Sequence, residues 1–123
     1  MPLVIIQRDP EYVNDFLVLR LRSILHVVVS AVLSVKPDEV EIWVREPGPL
    51  DLNYPPVGIM IDTGTGSKNW RVEQKLKLAI QIAEALAKKE VLPVEWLGPK
   101  KSYVWMRICE SAFVPIGYPE SAR

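Results

Sequence analysis

Apolar and polar residues alternate along this chain in two rhythms, one of period two and one near period 3.6. Leu3-Val4-Ile5-Ile6 is a β-branched run closed by Gln7-Arg8-Asp9-Pro10, which predicts a short buried strand. Further on, Leu21, Ile24, Leu25, Val28, Val32 and Val35 share the spacing of one helical face, while Arg20, Ser23, Ser30 and Ser34 gather on the other. That helix is expected to end at Lys36-Pro37, because a residue preceding proline is driven out of helical geometry. Val40, Ile42 and Val44 then alternate with Glu41, Trp43 and Arg45, the pattern of a strand with one covered and one open face.

After a loop bounded by Pro47-Gly48-Pro49 and Pro55-Pro56, the same signals recur. A strand from Val57 to Ile61 stops at Asp62-Thr63-Gly64-Thr65-Gly66, where glycines and short polar residues suit a tight turn or a loop approached by ligand. Val72, Leu76, Ile80, Ala83 and Leu86 predict a second helix facing the core, with Lys75, Lys77, Gln81, Glu84 and Lys88 on its wet side. A proline-bearing connection from Leu92 to Pro99 leads to a final strand, in which Val104, Met106 and Ile108 oppose Tyr103, Trp105, Arg107 and Cys109.

The order is strand, helix, strand, twice over. Ile42-Trp43-Val44-Arg45 and Val104-Trp105-Met106-Arg107 close the two halves with the same apolar, Trp, apolar, Arg pattern, which points to a duplicated β-α-β unit. The expected fold class is therefore α+β: two such units form a four-stranded sheet with both helices on one face. Residues 1–123 are read as a single domain with pseudo-repeat halves at approximately 2–46 and 57–110. The uncovered face would expose Trp43, Met60, Tyr103 and Trp105, a patch of the kind that marks an interface, so it is expected to be buried by self-association.

Composition narrows the function classes. The 123 residues are 49% hydrophobic and 24% charged, proportions of a packed domain, and 15 Lys+Arg balance 15 Asp+Glu. No general basic field exists to draw in nucleic acid or an anionic membrane. One cysteine, Cys109, and one histidine, His26, cannot build an internal disulfide or a Cys/His zinc site. The apolar stretch Ile24 to Leu33 is short for a bilayer span, and Pro2-Leu3-Val4-Ile5-Ile6 runs into Gln7-Arg8-Asp9 without a basic leader. The expectation is a cytoplasmic protein without metal, cofactor, nucleic-acid or membrane partner.

Together these features resemble the tautomerase superfamily, which includes macrophage migration inhibitory factor, oxalocrotonate tautomerase and malonate semialdehyde decarboxylase. The resemblance rests on Met1-Pro2 opening directly into the strand Leu3-Ile6, on the turn Lys36-Pro37-Asp38-Glu39, on Gly66-Ser67-Lys68-Asn69-Trp70-Arg71 running into Lys75-Leu76, and on the repeat itself. It covers nearly the whole chain. It implies a trimer whose sheets line a central barrel, and an amino-terminal proline, freed by removal of Met1, as general acid/base. Pro2 is the matching position. A terminal secondary amine starts near a pKa of roughly 8, and burial or neighbouring cations lower it toward a value suited to moving a proton next to a carbonyl. Read without the resemblance, Pro2 simply begins a strand, where its missing amide donor costs nothing.

The resemblance further implies that alternate residues of the last strand reach a neighbour's site, here Trp105 and Arg107. Arg107 would take a substrate carboxylate bidentately, or pair with Glu41 or Glu110, and Trp105 would wall a planar substrate from water. Lys36 lies next to a position where related proteins keep a lysine. Asp62-Thr63 matches a place where a backbone amide meets substrate, with Lys68 as a cation nearby. The chain departs from the family pattern at Glu41, where oxalocrotonate tautomerase carries an arginine, and in having no Cys-x-x-Cys. The leading expectation is keto-enol isomerisation of a small carboxylate-bearing carbonyl compound by a homotrimer. The alternatives are a non-catalytic oligomeric binding or scaffold protein and a decarboxylase or hydratase-like relative.

Overall fold

A computed structural model describes residues 2–52, 54–63, 72–88, 91–93, 96 and 104–109, with the side chains of the second helix described from residue 75 onward. The elements follow in the order β1 (Leu3–Arg8), α1 (Asp15–Leu33), a single 3₁₀ turn (Pro37–Glu39), β2 (Glu41–Arg45), β3 (Val57–Asp62), α2 (Val72–Lys88) and β4 (Val104–Cys109). The sheet order is β2-β1-β3-β4. β1 runs parallel to β2 and β3 parallel to β4, and the two pairs join antiparallel through β1 and β3. Each parallel pair is bridged by a helix, as parallel strands require. The duplicated β-α-β unit expected from the repeat is therefore the architecture: a four-stranded mixed sheet with two helices.

The β-branched run of β1 occupies the centre of the sheet, and its alternate residues Val4 and Ile6 are fully buried beside Val57, Ile59 and Ile61 of β3. Leu21, Leu25 and Val29 of α1 and Leu78, Ile82 and Leu86 of α2 close over them in one cluster. Each such side chain contributes roughly 1.5–3 kcal/mol by leaving water, so this layer supplies most of the apolar stabilisation. His26 Nε2 donates to the Pro37 carbonyl at 2.5 Å, tying α1 to the turn that feeds β2.

Three expectations are corrected. α1 begins at Asp15, capped by the Asn14 side chain accepting from the Leu17 N–H at 2.9 Å, and it ends before Lys36-Pro37. Ser34 takes the left-handed conformation (φ 54) and the Val35 N–H returns to the Ser30 carbonyl at 3.0 Å, so the helix stops at Leu33 and Val35 lies beyond it. Ser30 faces inward, with its hydroxyl donating to the Val27 carbonyl at 3.0 Å, which satisfies the buried oxygen without a partner outside the helix.

The second helix is the largest correction. Leu78, Ile82 and Leu86 are buried, whereas Leu76 and Ile80 are 60% and 48% exposed. This sequence carries two apolar stripes, and the sheet takes the one that includes Leu78 and Ile82. The extent of apolar helix is also larger than Ile24 to Leu33: α1 over its 19 residues has mean hydropathy 2.0, long and apolar enough by length and composition to cross a membrane. Here a third of it is buried inside the fold.

Candidate functional site

Strand register lays out the open face of the sheet as three rows. Arg45, Gln7, Gly58 and Trp105 form one, Trp43, Ile5, Met60 and Arg107 the next, and Glu41, Leu3, Asp62 and Cys109 the third. The first two rows each run from a Trp on one edge strand to an Arg on the other, which is the two-fold echo of the repeated motif. Trp43 and Trp105 are 44% and 50% exposed. The Arg45 guanidinium stacks 5.0 Å above the Trp43 ring, a cation–π contact that keeps the charge beside the apolar surface. Gly58 opens the space next to Trp105: a Cβ built there would lie 3.7 Å from that ring and 3.5 Å from the Gln7 Cβ.

Pro2 sits one step beyond the third row. Leu3 pairs with Glu41 on one side and Asp62 on the other, so Pro2 lies between Val40 and Thr63, and it is buried. Its carbonyl accepts from the Glu41 N–H at 3.1 Å. Beside it, Thr63 is 9% exposed and gives both its amide (2.9 Å) and its hydroxyl (3.2 Å) to the Cys109 carbonyl. The Thr63 amide, which the resemblance implies as a substrate contact, is thus already committed within the chain. Lys36 is exposed and its carbonyl accepts from the Glu39 N–H at 2.9 Å, at the start of the turn that leads into β2. It therefore belongs to the same end of the sheet as Pro2.

The candidate residues fall into two groups. Pro2, Lys36, Asp62 and Thr63 gather where β1 begins and β3 ends. Arg107 and Trp105 lie on the open face, three and five residues along the register from Pro2. Pro2 has the parity of the covered residues Val4 and Ile6, so within one chain the sheet stands between it and the Trp105 and Arg107 side chains. Lys68, Met1, Tyr103, Glu110 and the Gly66 to Arg71 junction lie outside the described residues. Among the described residues no three His, Cys, Asp or Glu side chains converge as a metal site would need.

One charged group escaped the sequence reading. Arg8, 13% exposed at the side chain, reaches Asp15 at 2.6 Å, Glu46 at 3.1 Å and the Val13 carbonyl at 2.9 Å. It ties the start of α1 and the end of β2 to the last residue of β1. The only trace in the sequence is a charged residue closing a buried strand, a signal shared with many surface arginines.

No protein-family model matches the sequence, and no curated protein matches it either. Solved structures do. The chain is similar to Pt0534 inactivated by 2-oxo-3-pentynoate, at 15% identity and TM-score 0.63 over 95% of this chain and 91% of that one. A macrophage migration inhibitory factor-like protein from Entamoeba histolytica matches at 11% identity and TM-score 0.59, over 95% and 94% of the two chains. A fused 4-OT, described as an asymmetric trimer, matches at 13% identity and TM-score 0.63, over 95% and 92%. At these identities the likeness defines the fold: the chain has the tautomerase-like fold that its sequence resembles.

Proposed function

We propose that the protein is a cytoplasmic homotrimeric tautomerase, an isomerase that moves a proton between the keto and enol forms of a small carbonyl acid, with Pro2 as general acid/base after removal of Met1. The placement of Pro2 carries this reading: it leads the central strand, buried, at the end of a tautomerase-like sheet. Burial disfavours the charged form of a terminal secondary amine, so a free Pro2 nitrogen would be a base suited to neutral pH. It would lift a proton from the carbon next to the carbonyl and return it at the other end of the enol. Arg107 and Trp105 of a neighbouring copy, with Lys36 and Lys68, would hold the carboxylate and steady the enolate. The trimeric fused 4-OT supports the assembly.

The test has two parts. Intact mass of the untagged protein should show Met1 removed, and Pro2→Ala should lower turnover of phenylpyruvate-like acids by at least about 100-fold while the oligomer persists. A retained Met1, or activity that survives the substitution, rules the mechanism out. One observation favours a second reading, a non-catalytic binding or scaffold protein: Glu41 and Asp62 stand in the row nearest Pro2, where two carboxylates would repel an anionic substrate. Calorimetry that finds no heat of keto-acid binding to the Met1-free protein would support it.

A further inference from the structure

We propose that the outer face of the two helices docks on an anionic lipid surface, lying flat among the headgroups without crossing the bilayer. The contact uses neither Pro2 nor the open face of the sheet, so it stands apart from the preceding reading.

The helices hold more apolar side chain than the core uses. α1 has a mean hydropathy of 2.0, yet only a third of it is buried. With Leu21, Leu25 and Val29 turned inward, Phe16 and Val27 are left on the outside, each 65% exposed, and Leu19 is exposed beside them. A helix that only covers a core turns polar residues to water there. α2 repeats the pattern, since Leu78, Ile82 and Leu86 are inside while Leu76 and Ile80 point out. Two open grooves result: one of about 500 Å³ between Phe16, Leu19 and Val27 of α1 and Ala85 of α2, and one of about 360 Å³ along Leu76 and Ile80. At 1.5 Å per residue the 19 residues of α1 make this face about 28 Å long. An apolar surface of this kind marks a site of contact, and fluid acyl chains fill two grooves of different shape without needing a matched relief.

Charge selects the occupant. α1 and α2 together carry five Lys and Arg against three Asp and Glu, in a chain whose total charge is zero, so the helices are the positive side of the molecule and the remainder is net negative. Asp15, one of the three acids, is held by Arg8. Arg22, Lys77 and Lys88 are exposed, and Arg20 lines the larger groove. Long cationic side chains lay their methylenes on apolar surface and lift the charge to headgroup level, as helices bound in the interface of an anionic leaflet do. The neutral sum over the whole chain, which argued against a membrane partner, conceals this separation.

Co-sedimentation of the full chain with vesicles tests the contact. Vesicles of phosphatidylcholine with about one-third phosphatidylserine should bind it, and pure phosphatidylcholine should bind it at least about 10-fold more weakly. Lys77→Gln/Lys88→Gln should weaken binding to the anionic vesicles by about 30-fold, and Val27→Asp/Ile80→Asp at least as much. All four side chains are exposed, so circular dichroism in buffer should stay that of the wild type. In a Cys109→Ser background, an environment-sensitive dye on Val27→Cys should shift to the blue when anionic vesicles are added, whereas a dye on Leu50→Cys, outside the helices, should not. A wild-type chain that stays in the supernatant, or that binds vesicles without a shift at residue 27, overturns the proposal. Helix-face variants that change the oligomer in vesicle-free buffer and leave lipid binding intact overturn it as well, and assign the face to a second copy.

Discussion

Where β1 begins, the sheet ends in backbone hydrogen bonds: the Pro2 carbonyl accepts from the Glu41 N–H, the Val40 N–H reaches the Pro37 carbonyl, and Thr63 sends two donors to the Cys109 carbonyl. Where β1 finishes, the ends of three elements are held by a single arginine with two carboxylates and a carbonyl. The first end buries Pro2 and Thr63 and is fastened by backbone groups, with Lys36, Glu41 and Asp62 around it. The second end carries charge and exposed apolar side chains together: Arg8, Asp15 and Glu46 beside Phe16, Leu50 and Leu52. The two ends of one sheet are thus fastened by different means, one by backbone hydrogen bonds and the other by a charged clamp.

Arg8→Met should break that contrast most strongly. It removes the clamp while keeping the side chain's bulk, and urea unfolding should show a loss of about 2 kcal/mol; the exposure of Asp15 and Glu46 keeps the figure below that of a fully buried pair. A loss under about 0.5 kcal/mol would show that the arginine decorates this end without holding it. Asn14→Ala, which uncaps α1 at the same end, should cost about 1 kcal/mol and lower the thermal midpoint followed at helical wavelengths. Thr63→Val should cost least, about 0.5 kcal/mol in the same urea measurement, since the shorter amide bond to the Cys109 carbonyl survives. If Thr63→Val proves costlier than Arg8→Met, the Pro2 end is the mechanical anchor of the fold.

All four strands and both helices were legible in the sequence: β2 and β4 from alternation, β1 and β3 as short apolar runs closed by turn formers, and the helices from a period near 3.6. The repeat Trp43/Arg45 and Trp105/Arg107 correctly announced the two-fold design. Period could not choose between the two stripes of α2: Leu76 and Ile80 are as apolar as Leu78 and Ile82, and only the position of the sheet decides which pair leaves water. Ser30 was misplaced for a related reason, since a serine that satisfies itself on its own helix reads as a wet residue. At the site, the neighbourhood of Pro2 and Thr63 depends on an antiparallel pairing between strands some fifty residues apart, and the separation of Pro2 from Arg107 depends on which face each occupies. Leu50 and Leu52, exposed in the loop between β2 and β3, look in sequence like any loop residues between prolines.

The antiparallel join at the centre of the sheet has a last consequence. Leu3, Asp62 and Cys109 stand in one row, so the first and last strands end side by side with β3 between them, about 10 Å apart at two strand spacings. A circular permutant that links residue 109 to residue 2 through a short peptide, and opens elsewhere, would preserve all three strand pairings. It would also hold the proline nitrogen as an ordinary amide, whether or not Met1 is removed from the parent chain. Architecture and terminal chemistry, which every substitution at Pro2 disturbs together to some degree, would then be separated in one molecule.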